Sequence, residues 1–76
     1  MDFSEALIQL KSGKQIQRSG WNGKGMYLFL LSGRLLPQIE GRSMSSFIVI
    51  KDATDKLVPW LASQSDVLAE DWQLVD

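Results

Sequence analysis

Two residue types that carry much of protein chemistry are missing from this sequence, which has no cysteine and no histidine. Disulfides and thiolate metal sites are therefore excluded, as is an imidazole that ligates a metal or shuttles a proton. Hydrolytic sites built on cysteine or histidine cannot be assembled from this chain, which favours a protein that is not an enzyme. The lack of cysteine also fits a reducing compartment, and we expect the cytoplasm.

Long apolar runs and a surplus of one charge are absent as well. No run approaches the roughly 20 residues that span a bilayer, and the opening MDFSEALIQLKSGK places two acids before its first base, unlike a secretory signal. Eight basic and nine acidic residues give a net charge of −1, which argues against a protein that coats nucleic-acid backbone. A small charged ligand in one local pocket remains compatible with this balance.

The chain of 76 residues suffices for one domain, residues 1–76. A domain this small buries only roughly 60% of the surface of its unfolded chain, and it has no disulfide or metal to compensate. Oligomerisation is the remaining common source of stability, so we expect a homo-oligomer.

The hydrophobic pattern predicts an α+β fold: a small antiparallel sheet with an N-terminal helix across one face and a short second helix near the C-terminus. Apolar residues at helical spacing, capped by Asp2 and Glu5 and ended by Gly13, predict a helix over 3–12. Strands are predicted around Ile16 and over 26–31, 47–50, 57–60 and 72–75. Ser32 and Gly33 predict a turn, with 34–39 returning as the second arm of a hairpin. Ser63 and Asp66 predict the start of the second helix.

The segment from Arg18 to Gly25 holds three glycines around Trp21. Its amide hydrogens can converge on an anion, with Arg18 and Lys24 adding positive charge, so phosphate binding is one interpretation. The spacing is that of neither a P-loop nor a dinucleotide-binding turn. The alternative is a tight turn in which Trp21 plugs the core.

A second segment, Leu57–Trp72, places Trp60 and Trp72 on either side of the polar residues 63–66. Flat aromatic faces beside hydrogen-bonding groups suit a nucleobase. The alternative is that both tryptophans bracket a short helix in the core. The neighbouring carboxylates of Glu70 and Asp71 can bind Mg²⁺ but are more typical of a solvated surface, as are Arg34 and Arg42.

The segments WNGKGMYLFL (21–30) and LVPWLASQSDVLAEDW (57–72) resemble the two signature blocks of the Thoeris anti-defence protein two family. The opening MDFSEALIQLKSGK and the segment RSGWNGKG are similar to the start of that family. The middle, residues 34–46, resembles it less and is shorter than the corresponding loop of many relatives.

The resemblance implies a phage or prophage protein that acts in the host cytoplasm as a sponge. Such proteins bind glycocyclic ADP-ribose, the messenger of TIR-domain defence enzymes, without cleaving it, and some hold cyclic dinucleotides in separate pockets. It also implies a homotetramer with the ligand between protomers, and no cofactor. The alternatives are a structural or protein-binding phage module and, less in keeping with the sequence, a metal-dependent phosphodiesterase using Asp66, Glu70 or Asp71.

Carried over to this sequence, the resemblance implies three groups of ligand-binding residues. Trp21 and Trp60 would stack on adenine, and Tyr27 would form either pocket wall or core. Polar edges of the ligand or its ribose hydroxyls would be bound by Asn22, Ser63, Gln64 and Asp66. Arg18 and Lys24 would balance the diphosphate.

Overall fold

The computed structural model describes residues 1–21 and 25–75. Their elements follow in chain order: α1 (Phe3–Lys11), β1 (Ile16–Arg18), β2 (Tyr27–Leu31), a 3-10 turn (Gly33–Leu35), β3 (Phe47–Lys51), β4 (Leu57–Pro59), α2 (Gln64–Val67) and β5 (Trp72–Leu74). The α+β prediction is confirmed, including both helices. Within the described ranges, no helix is long and apolar enough to cross a membrane.

Helix α1 begins and ends where the sequence predicts, within one residue. The Asp2 carboxylate accepts a hydrogen bond from the Glu5 amide (2.9 Å), and the Glu5 carboxylate accepts one from the Asp2 amide (3.2 Å). This reciprocal capping box satisfies two amides that the first turn leaves without partners. At the other end Gly13 has a φ of 89°, the left-handed conformation that ends many helices.

The five strands form one antiparallel sheet in the order β4-β3-β2-β1-β5. The longest pairing joins β2 to β3, from Tyr27 opposite Lys51 to Leu31 opposite Phe47. The last strand lies beside the first, with Arg18 opposite Trp72. This pairing brings the end of the chain next to the segment that follows β1.

The two faces of the sheet differ in what covers them. Helix α1 packs over β1, β2 and β5, where Ala6, Leu10, Ile16, Leu28 and Trp72 form the buried core. Because side chains alternate along a strand, the opposite face carries the other set of β2 and β3 residues, which is largely apolar. That set is Tyr27, Phe29, Leu31, Phe47, Val49 and Lys51.

The predicted hairpin arm over 34–39 is wrong. The structure describes all of residues 32–46 and finds a 3-10 turn capped by Ser32, then only an isolated bridge between Ile39 and Arg42. Pro37 has no amide hydrogen to give to a ladder. Residues 47–51 instead pair with β2, so the return strand comes later in the chain than predicted.

Gly33 shows why the loop folds back in this way. Its amide donates to the Ser46 hydroxyl (3.0 Å), and a Cβ at this position would overlap the carbonyl oxygen of Met44. The two ends of the loop therefore pack against each other through backbone, which requires glycine at this position.

Candidate functional site

An aromatic cluster lies where β5, the end of β1 and the segment after β4 meet. It consists of Phe3, Trp21, Trp60 and Trp72. Trp72 is its buried centre, and Trp21 and Trp60 each meet it edge to face, with ring centroids 5.4 and 6.1 Å away. This arrangement suits the charge distribution of aromatic rings and leaves Trp21 and Trp60 half-buried at the surface.

Helix α2 sits against this cluster and is fixed by its own cap. The Ser63 hydroxyl accepts from the Asp66 amide (3.1 Å) and donates to the Asp66 carboxylate (2.9 Å). The Trp72 indole N–H donates to the Asp66 backbone carbonyl (2.9 Å). The predicted cap at Ser63 is confirmed, and it holds Asp66 over the buried tryptophan.

Arg18 joins two carboxylates beside the aromatic cluster. Its Nη1 donates to Asp66 Oδ1 (2.9 Å) and its Nε donates to Asp71 Oδ1 (2.8 Å). We call Arg18, Asp66 and Asp71 the charge cluster. The Trp21 indole N–H also faces Asp66 Oδ1 at 3.5 Å, so one carboxylate oxygen meets both the arginine and the tryptophan.

The charge cluster keeps all three groups ionised. Burial acts to raise the pKa of Asp66, but hydrogen bonds from Arg18, Ser63 and Trp21 outweigh it and leave that pKa below its ordinary value. The Arg18 guanidinium likewise lowers the pKa of Asp71, and both carboxylates raise the pKa of Arg18. One positive charge against two negative charges leaves the cluster with a net charge of −1.

The structure brings together five of the predicted ligand-binding residues: Arg18, Trp21, Trp60, Ser63 and Asp66. Gln64 is exposed on α2 nearby. Tyr27 lies on the opposite face of the sheet, where its ring neighbours Phe29 and Lys51 Nζ lies 5.8 Å from the ring centroid. Asn22 and Lys24 lie outside the described residues.

Asp71 and Phe3 belong to this arrangement, although neither is among the predicted ligand-binding residues and Asp71 enters a site only in the alternative of a metal-dependent phosphodiesterase. Asp71 was interpreted as a surface carboxylate, yet it contacts Arg18, which is 53 residues away in the chain. No pattern among neighbouring residues in the sequence predicts such a contact. Phe3 was predicted only as part of the helix, and its position one residue after the cap gave no sign that it meets Trp60 and Trp72.

Two open clefts lie elsewhere on the chain. A cleft of about 390 Å³ is lined by Ser32, Gly33, Arg34 and residues 43–46. A smaller apolar cleft of about 140 Å³ is lined by Leu31, Phe47, Val49 and the strand β4. Neither is lined by the aromatic cluster or the charge cluster.

Comparison with known proteins gives this architecture a family. The Thoeris anti-defense 2-like domain matches residues 1–75. The chain belongs to this family. A protein named Thoeris anti-defense 2, from Bacillus phage SP01, is 46% identical over 84 aligned positions, which cover 99% of this chain and 94% of that protein.

The match confirms the resemblance seen in the two signature segments. Members of the Thoeris anti-defense 2 family are anti-defence proteins rather than members of a known enzyme family, and an anti-defence role follows for this chain. The alignment with the phage SP01 protein is longer than the 76 residues of the chain, so that protein carries residues that are missing here.

Proposed function

We propose that this protein binds and sequesters a nucleotide immune messenger without cleaving it, so that a bacterial defence effector in the host cytoplasm stays inactive. The proposed ligand is glycocyclic ADP-ribose, and cyclic dinucleotides are the second class to test. The observation that carries the proposal is the pair of half-buried tryptophans, Trp21 and Trp60, held at the edges of buried Trp72 in a chain of the anti-defence family.

The geometry of this pair favours a flat aromatic ligand. Both rings are fixed by edge-to-face contacts with the same buried ring, so little conformational freedom is lost when a base stacks on either. Such stacking contributes about 1–3 kcal/mol for each base. Gln64, which is exposed on α2, offers a partner for ribose hydroxyls, while the Ser63 hydroxyl is already engaged in its cap with Asp66.

The charges refine the roles that the sequence suggested. Arg18 is already balanced by Asp66 and Asp71, so this cluster does not attract a diphosphate. We therefore propose that Lys24, or a positive side chain from a second copy, meets the diphosphate. Arg18 and Asp66 then hold the tryptophan site in place rather than carry ligand charge.

We propose a homo-oligomer, a tetramer, as the working form. The uncovered sheet face and several exposed side chains, among them Leu61 at 91% and Leu68 at 75% exposure, leave apolar surface for another copy to bury. Leu61 and Leu68 flank α2, so a partner that covers them would close the surface beside Trp60. Light scattering coupled to size-exclusion chromatography measures the mass directly, and a monomer at micromolar concentration would contradict this part of the proposal.

Depletion of the messenger tests the function. The purified protein is incubated with glycocyclic ADP-ribose, and separately with a panel of cyclic dinucleotides, and then filtered. The retained protein is denatured by heat and the released ligand is identified by mass spectrometry. We expect depletion and recovery of the intact messenger. An altered product would show an enzyme, and a lack of depletion for every nucleotide would leave a structural or protein-binding phage module.

Trp21→Ala tests the site within the same assay. Losing one stacked base predicts a dissociation constant raised by about 5- to 150-fold, the ratio that corresponds to about 1–3 kcal/mol. Leu35→Ala serves as the control because Leu35 is exposed and lies in the loop after β2. Unchanged affinity in both Trp21→Ala and Trp60→Ala would remove the tryptophans from the site.

A further inference from the structure

The turn that carries Trp21 is built around one carboxylate. Residues 18–21 close through a hydrogen bond from the Trp21 amide to the Arg18 carbonyl (3.3 Å). Inside the turn, Asp71 Oδ2 accepts from the Gly20 amide (2.9 Å) while its Oδ1 accepts from Arg18 Nε (2.8 Å). Asp71 thus binds the first and third residues of the turn with its two oxygens.

The backbone of Asp71 also binds the 18–21 turn. The Ser19 amide donates to the Asp71 carbonyl (3.0 Å), which extends the β1–β5 pairing by one step beyond Arg18 and Trp72. The Ser19 hydroxyl lies 3.4 Å from Asp71 Oδ2. Asp71 therefore holds the turn against β5 through main chain and side chain together.

Glycine at position 20 leaves room for the contact between its amide and the Asp71 carboxylate. A Cβ at position 20 would lie 2.9 Å from Asp71 Oδ2, closer than side-chain atoms normally approach. Any larger residue here would force the carboxylate, which is the end of the Asp71 side chain, to shift away from the Gly20 amide. The sequence of the turn and the residue at position 71 are thus fitted to each other, although they are far apart in the chain.

The ring of Trp21 is held by the other end of the same network. Arg18 donates hydrogen bonds to both Asp71 and Asp66, and Asp66 Oδ1 faces the Trp21 indole N–H. The backbone of Trp21 thus depends on Asp71 directly, and its ring depends on Asp71 through Arg18 and Asp66. Charged hydrogen bonds of 2.8 and 2.9 Å make the first two links, and the last is a longer contact of 3.5 Å between the indole N–H and Asp66 Oδ1, which couples the surroundings of the ring to the carboxylate at position 71.

We infer that Asp71 is a positioning residue for messenger binding: it orients Trp21 through the 18–21 turn and through Arg18 without touching the ligand. This inference rests on the proposed function for its effect on affinity. Its structural half, that Asp71 sets the environment of the Trp21 ring, is measurable without any ligand.

The first readout is the set of three tryptophan indole N–H signals in a two-dimensional ¹⁵N–¹H NMR spectrum of the free protein, with Trp21 assigned from Trp21→Phe. In Asp71→Asn and Asp71→Ala we expect the Trp21 signal to move and to exchange faster with solvent. The Trp72 signal will also shift, since Trp72 follows Asp71 and its ring meets Trp21 edge to face, but its exchange with solvent should stay slow because its indole N–H bonds to the Asp66 carbonyl. A general loss of structure would instead speed the solvent exchange of both signals.

The second readout is the affinity for glycocyclic ADP-ribose. We expect about tenfold weaker binding in Asp71→Ala, the ratio that corresponds to losing a hydrogen bond to a charged group. Glu70→Gln is the matched control, because it removes the same charge from the neighbouring exposed position. Its Trp21 signal and affinity should equal those of the unmodified chain.

Gly20→Ala keeps the test decisive if the Asp71 variants fold poorly. It changes no charge but forces the Asp71 carboxylate to shift away from the Gly20 amide, so it should move the Trp21 signal in the same direction and by a smaller amount. An unmoved Trp21 signal in Asp71→Asn and Gly20→Ala would overturn the inference, as would a moved signal with unchanged affinity. If the unmodified chain binds no messenger, the proposed function fails while the NMR comparison still decides whether Asp71 positions Trp21.

Discussion

Replacing Trp72 with phenylalanine tests whether Trp72 is the structural centre of the aromatic cluster. Trp72 is 2% exposed, and its indole N–H bonds to the Asp66 carbonyl. Phenylalanine loses that hydrogen bond, which contributes about 1 kcal/mol, and the Asp66 carbonyl keeps a backbone partner, the Ala69 amide (3.3 Å). The smaller ring also leaves a void beside Phe3, Trp21 and Trp60, which adds about 1 kcal/mol. We therefore expect Trp72→Phe to lower the free energy of unfolding by about 2 kcal/mol.

Urea unfolding monitored by circular dichroism at one fixed protein concentration measures this change. A fixed concentration is needed because subunit association would add to the apparent stability. In a thermal melt, about 2 kcal/mol corresponds to a fall of about 8–16 °C in Tm for a domain of this size. Gln73→Ala is the control: it is the next residue of β5, is exposed, and should change stability by less than about 0.5 kcal/mol. An equally small change in Trp72→Phe would refute the assignment of Trp72 as the centre of the cluster.

Two further predictions concern the loop and acid stability. Gly33→Ala should lower the free energy of unfolding by about 1–3 kcal/mol, because its methyl group would overlap the Met44 carbonyl, and an unchanged thermal melt would contradict this close approach. The pKa values of Asp66 and Asp71 are lowered on folding, so their stabilising contribution is present above the ordinary carboxylate pKa of 3.8 and is lost as the pH falls toward the lower folded values. Urea midpoints should therefore be similar at pH 5 and 6 and fall below about pH 4, whereas a constant midpoint down to pH 2.5 would contradict the charge cluster.

The helices could be predicted from sequence because their signals are local. Asp2 with Glu5, and Ser63 with Asp66, are three residues apart, and a capping hydrogen bond spans that distance in any helix. The strand was predicted over 47–50, one residue short of β3, because these residues favour strands on their own. Such signals need no knowledge of what the segment packs against.

The hairpin failed because strand pairing depends on competition between segments. The turn residues Ser32 and Gly33 were identified correctly as a change of direction, but a turn does not fix which later segment returns to β2. Residues 34–39 include Pro37, which weakens a ladder, while 47–50 offer four consecutive residues that favour strands. The better partner is further along the chain, and the intervening loop closes over Gly33.

The site combines residues that local sequence signals identify with contacts that depend on strand pairing. Trp21, Trp60, Ser63 and Asp66 were singled out by residue type within two segments, and the structure brings them together. The roles of the charged residues depend on the pairing of the first strand with the last, which the sequence does not display. Arg18 has the composition of a phosphate ligand, and only its neighbours Asp66 and Asp71 show that its charge is already balanced.

This pairing of β1 with β5 also explains why the site extends over almost the whole domain. Asp71 directly precedes β5, Trp72 begins it, Arg18 ends β1, and Phe3 begins α1. The aromatic and charge clusters therefore form only when both ends of the chain meet. Contacts between residues so far apart in sequence form at a greater entropic cost than local ones. Hydrogen bonds from Arg18 and Gly20 to Asp71 stabilise this closure at the same point where Trp21 is presented. The residues that complete the fold are therefore those that shape the proposed binding surface, and substitutions there should affect stability and affinity together.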